Sequence, residues 1–360
     1  MLWGEFIIMK TILVTVDKQA PDKESIQQAA EILKKGGLVA FPTETVYGLG
    51  ANGLNAAACK KIYEAKGRPS DNPLILHIAE KKDLYTIVKE VPQKAEKLIN
   101  AFWPGPLTMI FEKQDCVPQE ITGGYSTVAV RFPSHKVAQA LIKMAGVPIA
   151  APSANSSGKP SPTKASHVLF DLENKIDMII DGGNAEVGLE STIVDVSGKI
   201  PMLLRPGAIT TEMIETVIGH IEIDPTVLAK PNQNLVPKAP GMKYTHYSPK
   251  ADVILVQCND LATAQQKIKQ LVKKELQSNK KVGILATDQT KNSYDCGIVL
   301  SLGDRQNLEE IGSNLFKHLR KFDFLGVDVV YSETVSEKGE GLAIMNRLQK
   351  AAGYKVIKAE

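Results

Sequence analysis

Three short stretches gather residue types that bind charged, polar ligands: FPTETVYGLG at 41–50, KGRPSDNPLILH at 66–77 and IAAPSANSSGKPSPT at 149–163. In the first, Thr43, Glu44, Thr45 and Tyr47 follow an apolar run directly, and Gly48 and Gly50 permit close approach of backbone to a ligand. In the second, Lys66 and Arg68 straddle Gly67 as a fork of donors suited to phosphate oxygens; Pro69 and Pro73 stiffen the loop, with Asn72 and His77 beside it. In the third, a fully apolar run opens onto Ser153, Asn155, Ser156, Ser157 and Ser161. Arg131 closing STVAVR, Ser191 in GLEST and Arg205 in LLRPG add polar groups at the ends of further apolar runs, and each could instead pair with a local carboxylate. Taken singly, the stretches also read as a capped turn, a solvated surface and a Ser-rich turn, and His77 as a packed core histidine. The signatures GxxxxGKS/T, GxGxxG, HExxH and GxSxG are absent, so any nucleotide here binds without a P-loop.

These residues need elements to hold them. Short apolar runs at Val14–Val16, Leu38–Phe41, Leu74–Ile78, Leu107–Phe111, Val128–Phe132, Val147–Ala151, Met178–Ile180, Thr192–Val196 and Met202–Leu204 have strand length. Ile26, Ala29, Ala30 and Leu33 share a helical face started by Pro21 and Asp22, and a second helix fits Lys136–Met144. Alternation of this kind predicts an α/β domain over 1–224, its sheet mixed because several connections are too short for crossover helices. Polar groups at strand ends are where open α/β sheets place ligands.

From Pro225 to Lys250 the pattern breaks into a proline-rich linker ending APGMKYTHYSP. Beyond it, residues 251–360 alternate again: runs at Val253–Val256, Val282–Ala286, Ile298–Leu300 and Val327–Tyr331, and helical periods through Leu261–Leu271, Ile311–Leu319 and from Gly341. That predicts a smaller Rossmann-like α/β unit.

Composition agrees with a globular chain of two units: 360 residues, 43% hydrophobic and 23% charged. Residues 1–230 carry 24 Lys+Arg against 26 Asp+Glu and residues 231–360 carry 19 against 14, net −2 and +5, too mild to announce a nucleic-acid surface. No apolar run approaches the ~20 residues of a membrane span, so no membrane contact is expected. Cys59, Cys116, Cys258 and Cys296 lie far apart with no CxxC pair, which points away from zinc or disulfides and towards a reducing cytoplasm. The start lacks a basic leader, and MKTILVTV from Met9 makes Met9 an alternative to Met1 as the first residue.

In this order, PTETVYGLG, KGRPSDNPLILH, STVAVR, APSANSSGKPSPT, GLESTIVD and LLRPG closely resemble the YrdC-like threonylcarbamoyl-AMP synthases over residues 20–220. APGMKYTHYSP and GEGLAIMNRLQKAA resemble the longer, two-domain form and extend the likeness to nearly the whole chain. The resemblance implies a twisted, open, mixed sheet with a concave active site. It implies that L-threonine, bicarbonate and ATP give L-threonylcarbamoyl-AMP and pyrophosphate, and that a separate transferase then modifies an adenosine of tRNAs reading codons that begin with A. Carried over by position, threonine would be held by Thr45, His77, Arg131 and Ser191 with the Ala151 backbone nearby. ATP would meet Lys66, Arg68, Asn72, Thr127, Ser153, Ser161 and Arg205, with Tyr247, or alternatively Tyr244, closing from the linker. Mg2+ is expected on the ATP phosphates, with no metal ligand and no nucleophile from the protein. The C-terminal unit is expected to steady the linker as a lid beside Gly241.

Two alternatives stay open beside this reading. Lys66, Arg68, Arg131 and Arg205 would also suit an RNA-binding factor, including weak RNA binding by the synthase itself, although no basic run is interleaved with aromatics. Carbamoyl transfer, as in related domains of hydrogenase-maturation proteins, ranks lower because the zinc-finger and acylphosphatase-like modules of those proteins have no counterpart before residue 20.

Overall fold

The computed structural model describes residues 10–228, 246–258 and 260–359. Both candidate start methionines, Gly241, Tyr244 and much of the expected linker lie outside these residues.

Among the described residues, β1 (Ile12–Thr15), β2 (Val39–Phe41), β3 (Gly48–Asn52), β4 (Ile75–His77), β5 (Leu107–Glu112), β6 (Thr127–Arg131), β7 (Ile149–Ala150), β8 (Met178–Asp181), β9 (Thr192–Asp195), β10 (Met202–Arg205) and β11 (Glu222–Ile223) form one sheet. Its order is β1-β8-β2-β3-β7-β4-β6-β5-β9-β10-β11. It is mixed, as expected: β4 runs parallel to β6 and β5 to β9, whereas β3 is antiparallel to both β2 and β7.

Side chains alternate across this sheet and so sort its two faces. Leu76, Met109, Val130, Val194 and Leu203 enter the main core with Ile62, Leu98, Ile99 and Ile214 from the helices. Ile75, Ile110, Ala129 and Ile193 form a small cluster on the opposite face. His77 and Arg131 share that second face and are register partners at the ends of β4 and β6.

The sequence reading missed β3, because GLGAN is poor in β-branched residues and rich in glycine, which is depleted in strands. Glycine is required there by close packing: a Cβ on Gly50 would come within 2.8 Å of both Ile149 Cγ2 and Phe41 Cε1. The helix over Lys23–Lys34 starts where expected, with the Asp22 side chain accepting from the Ser25 N–H. Pro225–Leu228 forms one helical turn where the sequence suggested linker, since proline is favourable at a first helical position.

The second sheet contains β12 (Asp252–Gln257), β13 (Val282–Ala286), β14 (Ile298–Ser301), β15 (Val329–Glu333) and β16 (Val356–Lys358), the last not expected. All its pairings are parallel, in the order β14-β13-β15-β12-β16, which bears out the Rossmann-like reading.

The two units share a core. Val46 and Leu189, from loops of the first unit, pack in the same cluster as Tyr247, Ile311, Phe316 and Ile344. Gly188, at φ +74, lies so close to the helix Leu308–Leu325 that a Cβ would sit 2.4 Å from Ser313 Cα. No helix among the described residues is long and apolar enough to cross a membrane.

Candidate active site

A pocket opens over the second face of the large sheet, where the two-residue β7 stops. It is lined by Thr43, Thr45, Val46, Gly48, Arg68, Ile75, His77, Arg131, Ala151, Pro152, Ser153, Glu190, Ser191, Arg205, His246 and Tyr247. Nine of the thirteen residues expected from sequence therefore meet here: Thr45, His77, Arg131, Ala151, Ser191, Arg68, Ser153, Arg205 and Tyr247.

The floor is a row of polar groups built by strand register. His77 on β4 pairs with Arg131 on β6, and Arg131 pairs with Thr108 on β5. Thr108 Oγ1 then meets Ser191 Oγ at 2.7 Å. Arg205, at the end of β10, donates from Nε to the Ser191 carbonyl at 3.0 Å and from Nη2 to its hydroxyl at 3.2 Å. Adjacent strands thus deliver one imidazole, two guanidiniums and two hydroxyls to one line.

At the other side of Arg131, Nη1 donates to Thr45 Oγ1 at 2.9 Å, and Thr45 is braced by Thr43 Oγ1 at 2.9 Å. Arg131 Nη2 lies 2.8 Å from Glu44 Oε1, so Arg131 does pair with a local carboxylate. That approach lacks hydrogen-bond geometry, and Nε and Nη2 of Arg131 and both Glu44 oxygens are buried without a hydrogen-bond partner. Burial pushes the Glu44 carboxyl up, but Arg131 outweighs it and holds Glu44 below the usual carboxylate range.

Burial, reinforced by Arg131, lowers His77 to about 3, so its ring is neutral near pH 7, with Nδ1 3.2 Å from the Ile75 carbonyl oxygen. Burial lowers Arg68 and Arg205 to about 10, which leaves both charged. Arg68 is fixed by donating from Nε to the Asn72 carbonyl at 3.3 Å and from Nη2 to the Pro73 carbonyl at 3.0 Å.

Four expected residues do not reach the wall. Lys66 is 4% exposed and donates to the Ser153 and Asn155 carbonyls, both at 2.5 Å; it ties the serine loop from behind, and burial drives its amine well below the ordinary value. Asn72 is buried beneath Arg68 and acts there through its backbone. Ser161 is buried behind the lining, where its hydroxyl donates to Glu190 Oε1. Thr127 starts β6, at the opposite end of that strand from Arg131 and roughly 13 Å along it at ~3.3 Å per residue.

The roof comes from the segment entering the second unit. Tyr247 is 4% exposed with φ +65, and it stacks on Phe316 at 5.1 Å. A non-glycine residue in that region costs roughly 1–3 kcal/mol, which the buried ring offsets. Ser248 N–H donates to the Gly158 carbonyl at 2.9 Å, tying the roof to the serine loop. His246 also lines the pocket; burial and then Arg68 drive it well below the usual histidine value.

Sequence reasoning passed over Glu190 and His246 as site residues, though each sits in a quoted motif beside an assigned one, Ser191 and Tyr247. Arg347, whose Nε donates to Glu190 Oε2 at 2.9 Å, comes from the helix Gly341–Ala351 of the second unit.

Residues 31–207 match the family model described as telomere recombination, and residues 209–353 the one described as the C-terminal domain of threonylcarbamoyl-AMP synthase. The chain is 52% identical over 348 residues to the threonylcarbamoyl-AMP synthase of Pyrococcus abyssi, covering 97% of this chain and 99% of that one. It is 48% identical over 343 residues to the threonylcarbamoyl-AMP synthase of Bacillus subtilis, covering 95% and 97%. The crystal structure of P. abyssi Sua5 complexed with L-threonine matches with a TM-score of 0.92 at 51% identity, over 97% of this chain and 100% of that one.

Proposed function

The chain belongs to the threonylcarbamoyl-AMP synthases and makes L-threonylcarbamoyl-AMP and pyrophosphate from L-threonine, bicarbonate and ATP; on that premise we propose how its pocket divides the work. The product opens the route to threonylcarbamoyladenosine in tRNA, and a transferase must consume it. A cytoplasmic setting, where ATP and tRNA are found, fits that role.

Threonine lies against Thr45, His77, Arg131, the Ala151 backbone and Ser191. The observation that carries this reading is Arg131 itself, a guanidinium 4% exposed on the pocket floor with His77 and Ser191, whose Nε makes no hydrogen bond. A guanidinium so placed can bond a substrate carboxylate, which here would share or displace the Glu44 contact at Nη2. ATP lies towards Arg68, Ser153 and Arg205, under Tyr247. Lys66, Asn72 and Ser161 serve ATP from behind by shaping the loops that carry Ser153, Arg68 and Glu190.

The chemistry suits such a site. The threonine amine becomes a carbamate, which attacks the α-phosphate and expels pyrophosphate, so no protein nucleophile is needed. Alignment of the two substrates and neutralisation of triphosphate charge by Arg68 and Arg205 suffice. Neutral His77 adds no charge that would compete with Arg131 for the threonine carboxylate. Glu190 of the pocket lining is engaged by Arg347, and the nearby Glu44 by Arg131, a donor set that fits Mg2+ carried by the phosphates rather than ligated by the chain. Mg2+ would there offset phosphate charge.

We assign residues 1–224 to the catalytic unit, 225–250 to a linker that closes the pocket, and 251–360 to the unit that steadies it. Tyr247 between Phe316 and Arg347 supports this lid reading, because the second unit holds the ring against the pocket. A closed roof keeps water from an acyl phosphate that hydrolyses readily. Threonine titrated into His77→Ala and Ser191→Ala proteins tests the allocation: weakened threonine binding is expected, and unchanged affinity in both would overturn it.

A further inference from the structure

The second unit reaches the pocket with more than a lid. Arg347 is fully buried, and its Nε donates to Glu190 Oε2 at 2.9 Å. The other Glu190 oxygen, Oε1, accepts from the Ser161 hydroxyl. Arg347 Nη1 donates to Asn346 Oδ1 at 3.2 Å, and Asn346 donates to the Val227 carbonyl at 3.0 Å, which pins the arginine to the edge of the first unit. The guanidinium carbon lies 5.6 Å from the Tyr247 ring centroid. A second arginine, Arg320 on the neighbouring helix, donates to the Pro160 carbonyl and to Asp171 Oδ2 at 2.8 Å. Two arginines of the second unit thus bracket Ser161, one gripping the residue before it and the other gripping the carboxylate it bonds.

We propose that Arg347 is a positioning residue of the synthase: it holds the Glu190 carboxylate beneath Ser161, and so keeps the 188–191 loop in the shape that presents Ser191 to threonine. The proposal rests on the allocation of Ser191 and Ser161 given above. A buried ion pair is weak evidence of stabilisation, since well-packed apolar side chains of similar volume often hold an interface at least as well. What an apolar pair cannot do is keep a carboxylate accepting on both oxygens. Glu190 has to stay ionised for that, and Arg347 is the partner it bonds.

The electrostatics around Glu190 agree. Burial alone pushes its carboxyl up, but Arg347, then Arg205, then the Ser161 hydroxyl bring it below the ordinary value. Facing it are Arg205 from β10, Arg347 and Lys350 from the helix Gly341–Ala351, the Tyr247 ring and Ser161. Lys350 is itself lowered to about 7 by burial, then by Arg347 and Arg205. Removing Arg347 leaves burial of Glu190 far less opposed, so its carboxyl rises and takes up a proton at a pH where the native protein keeps it charged.

The test is the pH dependence of threonine-dependent pyrophosphate release by the full-length chain, expressed as variant over native at each pH. For Arg347→Met this ratio is expected to fall by about tenfold between pH 8.5 and pH 6, the effect of an acid limb displaced upward by more than about two units, since the native limb lies below the ordinary carboxyl value. Arg347→Lys keeps a cation and is expected to restore a flat ratio. Arg320→Met, which loosens the same interface without touching Glu190, is expected to lower activity by one factor at every pH. In a Glu190→Gln background, adding Arg347→Met is expected to cost no more than about threefold, because the group it acts through is gone. A pH-independent ratio for Arg347→Met, or additive losses in the double variant, would overturn the proposal. Should Arg347→Met not fold, Arg347→Lys alone and in the Glu190→Gln background decides by the same additivity. Ser161→Ala with an unchanged KM for ATP would sink the allocation of Ser161 while leaving the pH response of Arg347→Met to stand.

Discussion

Arg205 grips Ser191 twice, through the backbone carbonyl at 3.0 Å and the hydroxyl at 3.2 Å, so the guanidinium assigned to ATP also fixes the serine assigned to threonine. The two substrate sites share a structural member, and single substitutions there should not act on one substrate alone. Arg205→Ala is expected to weaken ATP tenfold to a hundredfold, from roughly 1.5–3 kcal/mol for a charge-assisted hydrogen bond, and to raise the threonine KM as well. Arg68 bonds the Asn72 and Pro73 carbonyls instead, so Arg68→Ala should weaken ATP similarly and leave threonine nearly unchanged. Titration of each substrate into both variants separates the cases.

Arg131 and Glu44 are 4% and 5% exposed, which makes each the other's charge compensation. Arg131→Ala is expected to abolish threonine binding and to cost about 3–5 kcal/mol of stability, because it strands a buried carboxylate. Arg131→Met with Glu44→Gln should recover most of that stability and none of the binding. Thermal melts and threonine calorimetry on the same samples read the two effects apart.

His77 gives a pH signature. Its folded value is about 3, set by burial and then Arg131, against an ordinary 6.5, so below pH 6.5 the unfolded chain takes up a proton that the folded chain refuses. Stability from this group is therefore complete above pH 6.5 and falls as the pH drops towards 3. At pH 5 the loss is about 2 kcal/mol. His77→Gln should lose less stability than the native chain between pH 7 and pH 5, and an identical loss in melts of both would contradict the assignment of a neutral, buried ring.

How much of this could be read from the chain differs by residue. Thr45, His77, Arg131 and Ser191 stand at the ends of apolar runs, so strand pattern and residue type together place them. Lys66 and Ser161 have the right types in the right loops, but whether a side chain faces the ligand or the loop behind depends on turns that spacing does not encode. β3 was hidden because its glycines serve close packing against Phe41 and Ile149 rather than strand propensity. Arg347 did leave a local signal: a charged residue on the buried face of GLAIMNRLQKA, beside Ile344 and Leu348, must find a partner. Nothing local says that the partner is Glu190, 157 residues earlier.

Tyr247 holds a left-handed backbone and roofs the pocket with a buried ring. Tyr247→Ala is expected to lower threonylcarbamoyl-AMP yield per pyrophosphate released, since water then reaches the intermediate, while Tyr247→Phe keeps the ring and most of the yield. Simultaneous measurement of pyrophosphate and of the adenylate by mass tests this, and equal yields for the alanine and native proteins would remove the lid role.

The most direct test incubates the native chain and Ser191→Ala with ATP, Mg2+ and bicarbonate, with and without L-threonine, and follows pyrophosphate. The account predicts release that requires both threonine and bicarbonate in the native protein, and in Ser191→Ala a threonine KM raised well beyond any change in the ATP KM. Release independent of threonine, or a Ser191→Ala protein with native threonine dependence, would contradict it.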